Sequence, residues 1–324
     1  MKRQLAVLTV ILLAVALLGG CEKRVRGSAS SAPVSSEAPP SVPPVTAADY
    51  PVTVNGVIFQ TAPRRVVVLS PSLAEIAADL SYGALLVGRS AECDYPAYVA
   101  ELPEGGKTLL PDSTVIAGLL PDLLLMQQEP SADFRGWAEE NRIPLLVVPP
   151  ADSFEGLKDL YDAVGQSLGG KESGAAAAAA LFMRVEQGLQ AVEAAVGETK
   201  TPGLYAADRG GSVATGDTVL QRILISAGVE NTASEGTGWI PPDGAAASAQ
   251  VLFCPAGREE SIKASAVFKS SPAVKNGKVF GVDIALSERQ GLRLIEAARW
   301  MANQLYPELL EGGETMPPSS RMDL

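Results

Sequence analysis

The sequence predicts an α/β fold of two Rossmann-like lobes with mainly parallel sheets, joined by a single long helix. Short apolar runs alternate with amphipathic helical stretches from residue 66 to residue 169, and the alternation starts again after residue 199. Apolar strands separated by helices are typical of parallel sheets covered on both faces. Between the two halves lies "KESGAAAAAALFMRVEQGLQAVEAAVGE", a strongly helix-forming segment interrupted only by Gly174 and Gly188.

The first segment of the chain is an apolar run that follows two basic residues. The run from Leu5 to Leu18 carries no charge and is shorter than the roughly 20 residues that cross a bilayer. It fits a signal peptide, which has a basic start, an apolar middle and small residues at the cleavage site. The stretch "LGGC" that follows resembles the lipobox of bacterial lipoproteins. The resemblance implies a lipoprotein signal peptide over 1–21, lipidation of Cys21 and an extracytoplasmic location on the cell membrane.

A linker and the first lobe follow the predicted signal peptide. Residues 22–48 are rich in Ser, Pro and Ala and predict a flexible linker. An N-terminal α/β lobe is predicted over 49–169, and its "Asn55-Gly56" pair is a strong signal for a two-residue hairpin. After the β-branched run that ends at Leu69, Ser72 and Glu75 have the spacing of a capping box, which predicts the start of a helix.

The rest of the chain divides into three predicted parts. A connecting helix is expected over 170–198, a C-terminal α/β lobe over 199–307 and a polar tail over 308–324. In the second lobe the strand candidates are "PGLYAA", "AQVLFC" and "KVFGV", and "GLRLIEAARWMANQLYP" is a closing amphipathic helix. Trp137 and Trp300 fall on apolar faces of predicted helices and are interpreted as core residues.

Composition excludes several classes of function. The 324 residues carry a net charge of −11 with scattered basic residues, which argues against nucleic-acid binding. The chain contains no histidine, so a His-built zinc site, a Ser-His-Asp triad and a His-ligated haem are all excluded. No phosphate-binding loop, dinucleotide fingerprint or G-x-S-x-G motif is present. We therefore expect neither catalysis nor a cofactor nor a bound metal.

Two cysteines remain besides Cys21. Cys93 and Cys254 lie far apart in the sequence. Two separate buried thiols are the default interpretation. A disulfide, which an extracytoplasmic location would allow, and a thiol that contacts the ligand are the alternatives.

Four stretches together carry a resemblance to a known family. In chain order they are "RRVVVLSPSLAEIAADL", "GRSAECDYPAYV", "IAGLLPDLLLM" and "LSERQGLRLIEAARWM". From about Pro63 to Leu305 the chain resembles substrate-binding proteins of ABC importers whose two lobes are joined by one long helix. Members carry cobalamin, ferric siderophores, haem or metal ions. The pairing of "SPSLAE" with "CDYP" is most similar to the cobalamin-binding members, and the absence of histidine disfavours the metal-ion branch.

The resemblance implies a function and a set of partners. It implies a lipid-anchored monomer that captures cobalamin or a related corrinoid in a cleft between its lobes. The protein would deliver this ligand to an ABC permease and its ATPase, and it would bind no nucleic acid. A ferric siderophore or haem is the alternative ligand. An extracellular enzyme or sensor module that reuses the fold is the alternative of another class.

The candidate ligand-binding residues lie in loops that follow strands, where open parallel sheets bind ligands. Asp94 and Tyr95 match the family's Asp-Tyr-Pro loop, which faces the cleft, and the alternative is an Asx-type turn with a packed tyrosine. Trp239 sits where cobalamin binders place an aromatic on the second lobe, and the alternative is a core tryptophan.

Three polar residues complete the predicted ligand-binding set. Arg289, in "SERQG", matches a polar loop before the last helix and could pair with a phosphate or an amide of the ligand. A surface or helix-start ion pair is the alternative. Gln127 and Gln128 follow a strand end and could bond amides, and the alternative is a solvated loop.

The resemblance also implies a docking surface, where the chain departs from the family. Cobalamin binders present a glutamate on the top of each lobe to permease arginines. Here the first position is Thr114, and the second segment, "WIPPDGAAAS", has no glutamate. Our hypothesis is that Asp112 and Asp243 take this role, one per lobe. The alternative is that both are ordinary turn aspartates.

Overall fold

The computed structural model describes residues 40–207, 211–242 and 244–309. The predicted signal peptide and its lipidation site Cys21, most of the predicted linker, the end of the polar tail and the docking candidate Asp243 lie outside these residues. Within the described ranges, no helix has both the length and the apolar character needed to cross a membrane.

The described part opens with a small antiparallel hairpin. Strands β1 (Val52–Val54) and β2 (Val57–Phe59) pair across the turn formed by Asn55 and Gly56. Both turn residues have positive φ, 46° and 81°, which is the backbone that a type I′ turn requires and that Asn-Gly adopts readily. The predicted hairpin is therefore confirmed.

The N-terminal lobe is a four-stranded parallel sheet with helices around it. Its strands and the two short strands of an adjoining hairpin are β3 (Val66–Val68), β4 (Leu86–Arg89), β5 (Gly106–Lys107), β6 (Leu110–Pro111), β7 (Leu123–Met126) and β8 (Leu145–Val147). The parallel sheet has the order β4-β3-β7-β8. Its helices are α1 (Pro71–Asp79), α2 (Ala97–Ala100), α3 (Ser113–Gly118), α4 (Ala132–Glu140) and α5 (Leu157–Gly169). The central strands are buried on both faces, as their continuous apolar runs predict.

Helix α1 begins two residues earlier than the predicted capping box. Its N-cap is Ser70, whose hydroxyl accepts a hydrogen bond from the backbone N–H of Leu73. The proposed capping role of Ser72 and Glu75 is therefore wrong. Pro71 occupies the first turn, where its missing N–H costs nothing. Glu75 is left one turn inside the helix, on its buried face.

The connection between the lobes is shorter than the predicted helix over 170–198. Helix α5 ends at Gly169, and the next residue, Gly170, leaves the helical region with a φ of 82°. A π-helical turn over 170–174 then leads into helix α6 (Ala175–Val196). The two helices cross where Gly165 lies against Gly174, so closely that a Cβ on either glycine would collide with the backbone of the other helix. The glycines therefore allow a sharp turn that helix propensity alone does not predict.

The second lobe repeats the first. Its strands are β9 (Thr201–Tyr205), β10 (Val213–Ala214), β11 (Val229–Asn231), β12 (Trp239–Ile240), β13 (Val251–Pro255) and β14 (Val279–Val282). Four of them form a parallel sheet with the order β11-β9-β13-β14, while β10 and β12 pair antiparallel. Its helices are α7 (Val219–Ser226), α8 (Ala245–Ser248), α9 (Glu259–Ala264), α10 (Pro272–Lys275), α11 (Ile284–Ser287) and α12 (Leu294–Leu305). The predicted fold class is confirmed.

Helix α6 buries side chains in both lobes. Apolar residues along one face, from Ala178 to Val196, belong to a single core cluster that contains Leu160 of the first lobe and Ile223 of the second. Trp137 and Trp300 are partly buried against the cores of the first and second lobes. Cys93 and Cys254 are both buried thiols and are not joined to each other.

We expect only a few degrees of lobe movement when ligand binds. The connecting segment is helical from 175 to 196, and it has no extended hinge loop that could absorb a large change in dihedral angles. X-ray scattering from free and ligand-loaded protein should give nearly the same radius of gyration. A large compaction on loading would contradict this expectation.

Candidate functional site

The predicted ligand-binding residues lie at the carboxyl-end side of the two sheets. Asp94 and Tyr95 follow β4, Gln127 and Gln128 follow β7, and Arg289 lies between α11 and α12 of the second lobe. Trp239 is on β12. The structure brings three of the six into one cluster, which consists of Asp94, Tyr95 and Arg289 with the unpredicted residues Glu75, Asp79, Gln290 and Arg293; we refer to it below as the interlobe cluster.

Arg289 binds the first lobe. Its Nη1 donates to Oε1 of Glu75 at 2.8 Å, and its guanidinium also bonds both carboxylate oxygens of Asp94, with Nη2 and Oδ2 3.3 Å apart. The side chain of Arg289 is only 11% exposed. Burial opposes its charge, but the hydrogen bonds that the guanidinium donates to Asp94 and Glu75 raise the pKa of Arg289 above its usual value. Arg289 therefore takes part in buried ion pairs between the two lobes and not in a surface ion pair.

Glu75 holds a second arginine of the same loop. Its Oε1 also accepts from Nη1 of Arg293 at 3.1 Å, while its Oε2 is buried without a hydrogen-bond partner. The Glu75 side chain is 2% exposed. The signal in the sequence for this role is that Glu75 and Asp79 lie one helical turn apart in the apolar segment "SLAEIAADL", because a buried charge has to be paired.

Tyr95 rests on the same arginine. The guanidinium carbon of Arg293 lies 4.6 Å from the centre of the Tyr95 ring, within the range of a cation–π contact. Tyr95 as a whole is 43% exposed. The ring is therefore supported from the second lobe and still presents much of its surface to solvent.

Backbone groups add to the contact between the lobes. The side-chain amide of Gln290 makes two hydrogen bonds with the backbone of Ala151, at 2.8 and 2.6 Å. The hydroxyl of Tyr161 donates to the carbonyl of Gln290 at 2.6 Å, and the N–H of Leu292 donates to Asp79 at 2.9 Å. Four residues of the loop before α12, namely Arg289, Gln290, Leu292 and Arg293, are thus bonded to the first lobe, so specific contacts hold the angle between the lobes.

Two carboxyl groups of the interlobe cluster titrate near neutral pH. Burial raises the pKa of Glu75 to about 7, against the opposing effect of Arg289 and Arg293. Burial likewise raises the pKa of Asp79 to about 6, against the N–H of Leu292. In both cases desolvation outweighs the hydrogen bonds that favour the carboxylate.

We expect protonation of Glu75 to make the folded protein more stable at mildly acidic pH than at alkaline pH. Its pKa is about 7 when folded and 4.5 when exposed, so its stabilising contribution is fully present below pH 4.5 and is lost as the pH rises through 7. Denaturant unfolding at pH 5 and pH 8 should show a gain in the free energy of unfolding at pH 5. This gain should be on the order of 3 kcal/mol smaller in Glu75→Gln. Identical pH dependence of the two proteins would contradict the buried titration.

Trp239 lies in the second lobe, half-exposed rather than in the core. It is 46% exposed, and its ring meets the buried ring of Tyr205 edge-on, with centroids 6.1 Å apart. The Tyr205 hydroxyl lies 3.3 Å from the hydroxyl of Ser287, at the end of α11. The indole is therefore supported from one side by a fixed aromatic and remains open on the other.

The remaining predicted residues have less specific surroundings. Gln127 is half-buried and its Oε1 accepts from the Ser70 hydroxyl at 3.1 Å, while Gln128 is exposed. Asp112 is exposed and is the N-cap of α3, accepting from the N–H groups of Thr114 and Val115 at 2.9 and 3.1 Å. Neither the ion pairs nor the aromatic contacts of the interlobe cluster include these residues.

Metal-ligating side chains are not grouped in the described ranges. Within residues 40–207, 211–242 and 244–309 there is no group of three or more His, Cys, Asp or Glu residues that could hold a metal ion. The cluster instead combines aromatic surface with arginine–carboxylate pairs.

The family of the chain follows from a comparison with family models. The model described as "Periplasmic binding protein" matches residues 66–285, which is more than half of the chain. The chain belongs to this family. The match begins at β3 and extends into α11, so it includes both parallel sheets and the connecting helix.

Individual relatives extend the comparison. The chain is 28% identical to an uncharacterized ABC transporter substrate-binding lipoprotein, YvrC, of Bacillus subtilis, over 95% of this chain and 99% of that protein. Among solved structures it is similar to the periplasmic heme-binding protein HutB of Vibrio cholerae, with TM-score 0.62, 21% identity and coverage of 75% and 99% of the two chains. The periplasmic vitamin B12-binding protein BtuF of Vibrio cholerae gives TM-score 0.55, 17% identity and coverage of 76% and 97%. At these identities the two structures show the shared fold.

Proposed function

We propose that this protein is an extracytoplasmic, lipid-anchored solute-binding protein that captures cobalamin or a related corrinoid between its lobes. It delivers the ligand to an ABC permease and its ATPase, and it catalyses no reaction. The lipid anchor is on Cys21. The name of the Bacillus subtilis relative supports both the transport role and the anchor.

A half-exposed aromatic side chain on each lobe supports a large, flat ligand. Each lobe presents one half-exposed aromatic side chain near the carboxyl ends of its strands, Tyr95 on the first and Trp239 on the second. Both are supported from behind, by Arg293 and by Tyr205. Rigid aromatic surfaces suit a large flat macrocycle, because they bury much apolar area at little entropic cost. Gln127 and Gln128 follow β7 and supply side-chain amides for the amide groups at the edge of a corrin.

The experiment is a direct comparison of ligands. Purified protein is titrated with cyanocobalamin, cobinamide, haemin and several ferric siderophores, and binding is followed by calorimetry and absorbance. Cyanocobalamin or cobinamide should bind most tightly. If haemin or a ferric siderophore binds more tightly than the corrinoids, the protein has the alternative ligand and the corrinoid assignment is wrong. Chemical conversion of any of these compounds would contradict a purely binding role.

We expect neutralisation of the docking carboxylates to impair uptake without affecting ligand binding. Two fixed exposed charges set orientation and speed encounter, although each adds little affinity. Asp112 also caps α3, so Asp112→Asn is the suitable change because asparagine caps as well as aspartate. It is combined with Asp243→Asn in a cell-uptake assay, with ligand binding measured in solution. The control is Asp133→Asn, at an exposed position in the first turn of α4. Normal uptake at normal expression would contradict the docking role.

A further inference from the structure

The ligand-facing tyrosine of one lobe is supported by a side chain of the other lobe. Tyr95 belongs to the loop after β4, in the first lobe, yet its ring lies on the guanidinium of Arg293, which immediately precedes α12 in the second lobe. The two residues are almost 200 positions apart in the sequence. The contact therefore exists only when the lobes have their observed arrangement.

Arg293 is itself fixed by a carboxylate. Its Nη1 bonds Oε1 of Glu75 at 3.1 Å, and Glu75 is held in turn by Arg289 at 2.8 Å. Arg293 is 17% exposed in its side chain and Glu75 is 2% exposed. Within this buried setting the carboxylate fixes the position of the guanidinium, and the flat face of the guanidinium limits where the Tyr95 ring can lie.

We propose that Arg293, held by Glu75, is a positioning residue that sets the orientation of the Tyr95 ring before ligand arrives. The second lobe then contributes to the ligand surface of the first. A ring that is already oriented loses less freedom on binding, and such preorganisation increases affinity without a new contact to the ligand. The inference rests on the proposed function, in which Tyr95 contacts the ligand.

A double-mutant cycle tests whether Arg293 acts through Tyr95. Binding of cyanocobalamin is measured for the unmodified protein, Arg293→Met, Tyr95→Ala and the double variant. Arg293→Met should weaken binding about 5–20-fold alone, and less than about two-fold when Tyr95 is already alanine. Arg293→Lys, which keeps a cation near the ring, should recover part of the loss.

Arg222 provides a matched control. Its side chain is also 17% exposed, and it is ion-paired with Glu193 at 2.8 Å, outside the interlobe cluster. Arg222→Met should leave affinity unchanged. Glu75→Gln, which is nearly isosteric, should show the same dependence on Tyr95 as Arg293→Met, and it serves as the second variant if Arg293→Met fails to fold.

The positioning can also be measured without ligand. Fluorotyrosine placed at position 95 should give a ¹⁹F resonance that shifts and narrows in Arg293→Met and in Glu75→Gln as the ring gains freedom, and that does not change in Arg222→Met. An unchanged resonance in both interlobe variants would overturn the inference.

The outcomes of the cycle separate this inference from the proposed function. If Tyr95→Ala weakens binding but Arg293→Met does not, the inference alone fails. It also fails if Arg293→Met weakens binding equally with and without Tyr95, because the arginine would then have a general structural role. If Tyr95→Ala leaves affinity unchanged, the proposed ligand site and the inference fail together.

Discussion

Trp239→Ala and Tyr95→Ala should each weaken corrinoid binding by about 1–3 kcal/mol, the loss expected when an anchoring aromatic is truncated. Both side chains are nearly half exposed in spite of their size, and each is supported from behind by another side chain. A flat ligand that covers the open faces would bury this apolar area. The effect is measured as the change in dissociation constant for cyanocobalamin.

A remote exposed apolar residue gives the control for this prediction. Ile58 is 60% exposed on β2, so Ile58→Ala removes exposed apolar surface outside the candidate site and should leave affinity unchanged. Melting curves of all three variants establish that the fold is intact. Unchanged affinity of both aromatic variants for every ligand tested would remove Tyr95 and Trp239 from the site.

Gly174→Ala should lower the free energy of unfolding by about 3 kcal/mol or more, because the new methyl group would be forced into a packed backbone. A Cβ at this position would collide with the carbonyl of Gly165 and lie 2.8 Å from the backbone nitrogen of Gln166. Backbone atoms inside a helix cannot move aside as a flexible side chain can. Helices α5 and α6 would have to separate, and α6 is the element that joins the lobes.

A glycine-to-alanine change at a helix position with free space around it should raise the free energy of unfolding instead of lowering it. Gly136 lies inside α4, and a Cβ there would meet nothing within 4 Å. Gly136→Ala should therefore raise stability by about 0.5–1 kcal/mol, since glycine is a poor helix former. Chemical denaturation of both variants makes the comparison. Equal effects at the two positions would contradict the account of the helix crossing.

The sequence predicts the layered fold well because local patterns determine it. The apolar runs that become β3, β7 and β13 are buried on both faces, and the Asn55-Gly56 turn follows from backbone preference alone. The break between α5 and α6 does not follow from local pattern. Judged by helix propensity, Gly174 is only a mildly unfavourable residue inside a helix. Its role in the structure is to allow close contact with Gly165 of another helix, nine residues earlier in the chain.

The candidate site is predictable only in part, for a related reason. The motifs that resemble the family identified Asp94, Tyr95 and Arg289, which the structure places together. The local spacing of Ser72 and Glu75 predicts that Glu75 belongs to a helix cap, which the structure contradicts. The partners of Glu75 are more than 200 positions away, and no periodicity within the chain indicates which distant arginine will neutralise a buried carboxylate.

A crystal structure of the protein with cyanocobalamin is the most direct test of the central claim, that an aromatic side chain from each lobe holds a corrinoid. We expect the corrin to lie between the lobes, in contact with the indole of Trp239 and with the ring of Tyr95, while Arg293 stays beneath that ring. An alternative position is the groove of about 550 Å³ beside α6, lined by Arg184, Leu292 and Glu296. A corrinoid bound there, or anywhere that leaves both aromatic rings exposed, would contradict the account.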